Sequence, residues 1–395
     1  MPCYDPAVGP LPDLVVIGGG VVGAATAFHA AGAGMRPLLL ERRPALCTLT
    51  TPASTGAFRL QFDNEEELRL VRESVDLFLN FNEITGQERY NLGIRQQGYL
   101  WCTAEEAGAR RQERLVARQH SWGQTDVELL DGGEVRRRFP YIGETVLQAR
   151  FRAGDGFLDP KALTLGLAAA SGAEVRTGCE VTGFEVSGGK LSAVGTTSGR
   201  IPAERAVIAG GPFSGVLAAR AGVMLPVRAV IRQKVVLPDL PEVPPGAPMT
   251  IDDDVGTHWR PALRGAYLLF TDPDTPAGEP LEDVPTDRRF AFRLLDPASP
   301  TAAARISPFW ERVWTRGSAH WLIQAGQYTM TPDHRPLIGE SEVGGLWVNT
   351  GYSGHGIMGS PAGSRILIDC ITGATGDGNP FRLDRRFERR ERDVL

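Results

Sequence analysis

Three glycines and one acid carry the most specific chemistry in this chain. Gly18, Gly20 and Gly23 follow the apolar run Leu14-Val15-Val16-Ile17, and Glu41 closes a second apolar run that begins at Pro37. A strand, a glycine turn, a helix, a second strand and an acid about 20 residues on form a unit built to hold a dinucleotide. Gly18 permits the tight turn, Gly20 lets backbone approach a pyrophosphate, and Gly23 lets the helix lie close to the sheet. The pyrophosphate would sit on the helix N-terminus, where unpaired N–H groups and the macrodipole favour negative charge. Glu41 stands where a carboxylate accepts ribose hydroxyls. A second glycine turn lies near the other end of the chain, where residues 346–349 read as a strand running into Gly351, Gly354, Gly356 and Gly359. A helix is expected from about Pro361, since proline suits a first turn. Those glycines would either admit a planar ring or serve only sharp geometry.

Composition bounds what these motifs serve. The 395 residues are 42% hydrophobic and 23% charged, enough for roughly two or three soluble domains. With 42 basic and 47 acidic residues the net charge is −5 and no basic block stands out, which argues against nucleic acid as a partner. No apolar stretch is long enough to span a membrane. Five scattered cysteines without CxxC spacing argue against a disulfide framework and for a reducing, cytoplasmic setting. His258 and His320 have no ligand spacing with Cys or acids, so no metal is expected. Residues 1–13, with four prolines and no basic residue, read as a loose leader rather than a signal peptide.

The elements that must position the motifs follow from periodicity. After Glu41, residues 42–63 read as an irregular loop. Helical spacing predicts a helix over 65–81 with three glutamates at its start, and a charged helix over 104–120, with a strand at 98–101 between them. An apolar helix is expected over 161–171, then a strand from 172, two short strands within 181–200 joined at 187–189, a buried strand over 205–211, and a long alternating strand over 227–237. Residues 238–300 are crowded with prolines and acids and are expected to form loops broken by one strand, 266–270. The run Asp252-Asp253-Asp254 reads as solvated loop acids.

Taken together, these segments resemble the flavin-dependent amino-acid and amine oxidoreductases that include D-amino-acid oxidase, glycine oxidase and sarcosine oxidase. The resemblance covers nearly the whole chain in the family's order. It rests on GGGVVG with Glu41, GFLDP (156–160), AVIAGGPFS (206–214), LPVRAVIRQ (225–233), TPDHRPLIG (331–339) and GYSGHGIMGSPAG (351–363). It implies an α/β fold: a Rossmann-like FAD-binding domain assembled from residues 11–85, 145–225 and 322–385, and a substrate domain with a mixed, largely antiparallel sheet from 86–144 and 226–321. It implies cofactor contacts at Gly18, Gly20, Val22, Gly23, Glu41, Arg42, Ser54, Thr55, Val181, Gly210, Gly211, Gly326, Gly354, His355, Gly356, Ile357 and Met358. It places His355, Tyr328 and Arg59 in the catalytic region and Phe62, Arg260, Gln327 and Met358 in the substrate pocket. His355 would line the flavin face or bond its edge, or else point to solvent. A helix N-terminus at the second turn would stabilise the anionic edge of a reduced flavin and raise its potential.

The chain departs from the family at several positions. Gly326 stands where covalent-flavin members have a cysteine, so FAD is expected to be held noncovalently. Met358 and Phe62 replace a lysine and an arginine that help bind the substrate carboxylate, and an arginine that glycine oxidases place near Gln327 or Tyr328 is missing. Arg59, Arg260 and Arg335 remain as candidate carboxylate partners, since a desolvated carboxylate needs one. A pocket made apolar by Met358 and Phe62 suggests an N-substituted glycine with a bulky apolar substituent. The expected reaction passes hydride from the carbon of a neutral amine to flavin N5, and the imine then hydrolyses, with O2 or another acceptor reoxidising the flavin. Alternatives are a dehydrogenase using a non-oxygen acceptor, a non-catalytic FAD-binding subunit or assembly factor, and a nicotinamide enzyme using the first motif alone.

Overall fold

In a computed structural model of the protein, residues 11–317, 320–374 and 378–388 are described. Most of the expected leader, with Cys3, lies outside them. Two sheets dominate. The first has six strands in the order Leu337–Glu340, Leu346–Thr350, Ala206–Ile208, Leu14–Ile17, Pro37–Leu40, Glu174–Arg176. All neighbours are parallel except the edge strand Leu337–Glu340. Its central strands are buried on both faces, which explains their continuous apolar sequences. Helix Val21–Gly32 covers one face together with the C-terminal helix Gly356–Thr372, and the two pack on each other.

The second sheet has nine strands, running from Ala277–Gly278 through Arg228–Leu237, Gly265–Phe270, Thr257–Ala262, Met249–Asp252, Tyr99–Thr103 and Gln148–Arg152 to Glu128–Asp131. Leu322–Met330 pairs with Arg228–Leu237 along nearly its whole length. Every pairing is antiparallel except Met249–Asp252 with Tyr99–Thr103. Gln148–Arg152 and Leu322–Met330 therefore leave the ranges 145–225 and 322–385 expected for the cofactor half. A hydrogen-bond register decides this, and single-sequence patterning does not reveal which sheet a strand joins.

The expectation for 238–300 is corrected. Besides Gly265–Phe270, this stretch forms strands Met249–Asp252 and Thr257–Ala262 and helix Arg289–Leu295. The prolines mostly flank these short elements rather than interrupt them. The acid run is not solvated either. Asp252 accepts from Arg305 Nε (2.9 Å), Asp253 from Gln112 Nε2 (2.9 Å), and Asp254 from Thr103 Oγ1 (2.6 Å) and the Ala104 amide (2.8 Å). Burial pushes the carboxyls of Asp252 and Asp253 above their usual range. These acids tie the strand ends of the second sheet to helix Glu106–Ser121 and to the Arg305 turn.

Candidate cofactor and substrate site

The first glycine turn is closed by contact. A Cβ on Gly23 would lie 1.8 Å from the Gly18 carbonyl oxygen, and one on Gly18, whose φ is +120°, would lie 2.5 Å from the Ala209 carbonyl oxygen. No side chain fits either place. Glu41 reaches back into the turn, accepting from the Gly19 amide (2.7 Å) and the Arg43 amide (2.8 Å). The carboxylate is thereby fixed in orientation and keeps lone pairs for hydroxyl donors.

The second turn reaches the same place from the other end of the chain. A buried network of Thr26, Asn349, Tyr352 and Ser364 joins the first helix, the strand Leu346–Thr350 and the C-terminal helix. Asn349 Nδ2 donates to Thr26 Oγ1 (3.2 Å) and Ser364 Oγ (3.0 Å), and the Tyr352 hydroxyl donates to Asn349 Oδ1 (2.5 Å). The C-terminal helix begins at Gly356 rather than near Pro361. Burial of Ile357 and Met358 overrides the poor propensity of the glycine run. The earlier start brings the helix N-terminus, with its unpaired amides, directly to the glycine turn.

One continuous cleft runs past both turns. Cys179–Val181 line one end, and Gly18–Val22, Glu41 and Arg42 line the middle. Ser54, Thr55, Gly326, Gln327, Tyr328, Gly354, Gly356 and Ile357 line the far end, with Gly210 and Gly211 on the wall. Most of the expected cofactor residues are thus brought to one cleft. At the far end a Cβ on Gly354 would strike the Tyr328 ring at 2.5 Å, and one on Gly326 would meet Ala53 Cβ at 2.8 Å. Both glycines are thus closed against protein, Gly354 by the Tyr328 ring and Gly326 by Ala53, and Gly326 has no room for a thiol. These residues fit FAD.

Several expected site residues lie elsewhere. Gly23 is a packing residue, not a wall residue. Phe62 (0% exposed) and Met358 (4%) belong to one hydrophobic core with Leu68, Val71 and Phe78. They therefore do not make a substrate pocket apolar, and the argument for a bulky apolar N-substituent loses its basis. Arg335 pairs with Glu66 (3.3 Å), away from the cleft wall. His355 does not reach that wall. Its Nδ1 faces Glu67 Oε1 (3.1 Å), its Nε2 faces Arg59 Nη2 (3.4 Å), and its ring meets Phe62 edge-on. An arginine donor at Nε2 leaves the ring proton on Nδ1, directed at Glu67. Glu67 in turn accepts from Asn64 Nδ2 (2.7 Å), and Asn64 caps helix Glu65–Leu79. Arg59 is buried between this relay and the rings of Phe62 and Trp101. Arg59, His355 and Glu67 form a buried support beneath the second turn.

Two residues of the far end escape sequence reasoning. Lys234 and His258 both line the cleft. Lys234 interrupts the alternating strand 227–237 with a charge at a buried position, and that was the available signal. His258 has no counterpart signal. It is half-buried, its Nδ1 bonds the Gly256 carbonyl (2.9 Å), and desolvation brings its pKa down to about 4.

Comparison with known proteins agrees with this geometry. Relatives include FAD-dependent oxidoreductase domain-containing protein 1 of Xenopus laevis, 25% identical over 91% of this chain and 79% of that protein. Sarcosine oxidase subunit beta of an Arthrobacter species is 26% identical over 95% of this chain and 91% of its own length. Glycine oxidase from Geobacillus kaustophilus superposes with a TM-score of 0.81 at 24% identity, covering 96% of this chain and all (100%) of that one, and shares the fold. The model of the FAD dependent oxidoreductase family matches residues 13–370, and the chain belongs to that family.

Proposed function

We propose that this enzyme oxidises the carbon–nitrogen bond of an amino acid or secondary amine, N-substituted glycines among them, with noncovalently held FAD. The observation that carries the reading is the shared cleft. Gly20 and Gly356, more than 300 residues apart, line one slot that is long enough to pass from Val181 to Tyr328. A nicotinamide enzyme would use only the first turn. The sarcosine oxidase subunit supports an amine substrate by its likeness.

Bound FAD supplies a two-electron acceptor for hydride from the carbon that bears nitrogen. The protein's part is placement. Glu41 and the first turn would hold the nucleotide half, and the N-terminus of helix Gly356–Thr372 would place positive potential beside the ring, favouring its reduced, anionic state. The Arg59–His355–Glu67 relay keeps that turn rigid. No residue need abstract a proton if the amine enters neutral, and O2 or another acceptor would then regenerate the oxidised cofactor. The four described cysteines are free thiols, in keeping with the cytoplasmic setting expected from their spacing.

Anaerobic mixing of the FAD-loaded protein with glycine, sarcosine, N-benzylglycine, proline and larger D- and L-amino acids tests this. Bleaching of the yellow absorbance by at least one of them is expected, with release of FAD into the supernatant on acid precipitation. A protein that binds FAD and is bleached by none would be a non-catalytic subunit.

A further inference from the structure

We propose that Lys234, backed by Arg260, is the seat for an acidic group of the substrate, so that the molecule oxidised carries a carboxylate. This rests on the oxidase reading and deepens it. Lys234 lines the cleft, and Arg260 stands behind it on the same Tyr267 ring, outside the cleft wall.

Lys234 is 2% exposed, yet it lines the cleft. Its Nζ donates to the Ser54 carbonyl at 2.9 Å and lies 4.4 Å from the centre of the Tyr267 ring. An ammonium has three donors, and one is used. Arg260 stands on the same ring, 4.7 Å from its centre. Its Nη2 donates to the next carbonyl, Thr55 (2.5 Å), its Nη1 to Pro261 (2.7 Å), and its buried Nε has no partner. Ser54 and Thr55 belong to the loop that also lines the ring end of the cleft. Elsewhere in the second sheet the buried cations have acids: Arg152 has Asp155 at 2.6 Å and Arg150 has Asp253 at 4.0 Å. Among the described residues no carboxylate pairs with Lys234 or Arg260.

Two buried cations side by side are costly unless an anion joins them. The groups at Lys234 are the Ser54 carbonyl, Tyr267, Arg260 and, opposite Lys234 in the ladder, Gln324; His258, Arg232 and Tyr328 line the same cleft, and Tyr99 and Arg95 act on Arg260. None is acidic at neutral pH. Burial, then the Arg260 charge, brings the Lys234 pKa down to about 7, and burial brings Arg260 down to about 10. A bound carboxylate would return Lys234 to its charged form. Acid binding should therefore be tightest below pH 7 and take up a proton above it. The structural alternative, a lysine that only ties the second sheet to the Ser54 loop, gives no such linkage.

The test uses the FAD-loaded protein and simple carboxylates, acetate and benzoate, with acetamide and benzamide as neutral controls. Binding is read from the flavin spectrum. The carboxylates are expected to bind at least about tenfold more tightly than the amides. Their affinity should fall about tenfold per pH unit above 7, with close to one proton taken up per anion at pH 8 by calorimetry in buffers of different ionisation enthalpy. Lys234→Met should weaken carboxylates at least about tenfold and flatten the pH dependence, whereas Lys234→Arg should restore binding without the linkage near pH 7. No proton uptake in the wild-type protein, or Lys234→Met with unchanged affinity and pH profile, would overturn the proposal. Either failure in a protein that an amine still bleaches would leave the oxidase reading in place.

Discussion

At the scale of single residues, the same side-chain type has different consequences depending on which side of the second turn it occupies. Met358 and Phe62 lie in the core with Leu68 and Phe78, so a charge cannot simply be placed at those positions. Met358→Lys would bury an unpaired ammonium, and Phe62→Ala would leave a cavity costing about 3–5 kcal/mol. Both variants should lose thermal stability in a melting experiment, and Met358→Lys should gain no affinity for acetate. A stable Met358→Lys protein with tighter carboxylate binding would show that this side chain faces the substrate instead. Lys234, by contrast, is a charge already carried at a buried position, and its neighbours Ser54 and Thr55 offer it carbonyls rather than carboxylates.

At the scale of elements, the first turn depends on approach distances. Gly23→Ala would drive a methyl into the Gly18 carbonyl, 1.8 Å away, and push helix Val21–Gly32 off the first strand. A loss of more than about 3 kcal/mol, read by denaturant unfolding, and weak FAD retention are expected. Wild-type stability in Gly23→Ala would mean that the turn is not closed in this way. This turn was legible in the sequence because glycine spacing, flanking strands and Glu41 all reported the same unit. The long strand Arg228–Leu237 and helix Pro160–Ala170 were legible for the same reason, a clear period with end signals. Met249–Asp252 and Thr257–Ala262 were not, because four to six residues carry too little alternation and their acids find partners far along the chain. The start of helix Gly356–Thr372 was misjudged because Pro361 resembles an N-terminal residue, while the packing of Ile357 and Met358 sets the true beginning. His355, expected to line the flavin face, bond its edge or point to solvent, is turned to Glu67, 288 residues away, which no local pattern announces.

At the scale of the whole molecule, half-buried neutral histidines link stability to pH. His29 and His258 are each brought down to about 4, chiefly by burial, against an ordinary value of 6.5. Their folded-state pKa values lie below the unfolded ones, so the unfolded chain binds protons first as pH falls. Their stabilisation is full above pH 6.5 and declines through the window from 6.5 to about 4. The slope approaches about 1.4 kcal/mol per pH unit for each histidine. Unfolding free energies measured between pH 7 and 5 should fall, and His29→Gln should reduce the slope. A flat profile over that range would mean that both rings stay protonatable in the folded protein.

The whole molecule also carries the central claim, that two glycine turns from opposite ends of the chain enclose one FAD. Diffraction from crystals of the FAD-loaded protein tests it most directly. The pyrophosphate is expected on the amides that follow Gly20, the ribose hydroxyls on Glu41, and the pyrimidine edge of the ring at the N-terminus of helix Gly356–Thr372. A flavin ring lodged away from Gly356, or density for FAD nowhere along the Val181–Tyr328 cleft, would contradict it.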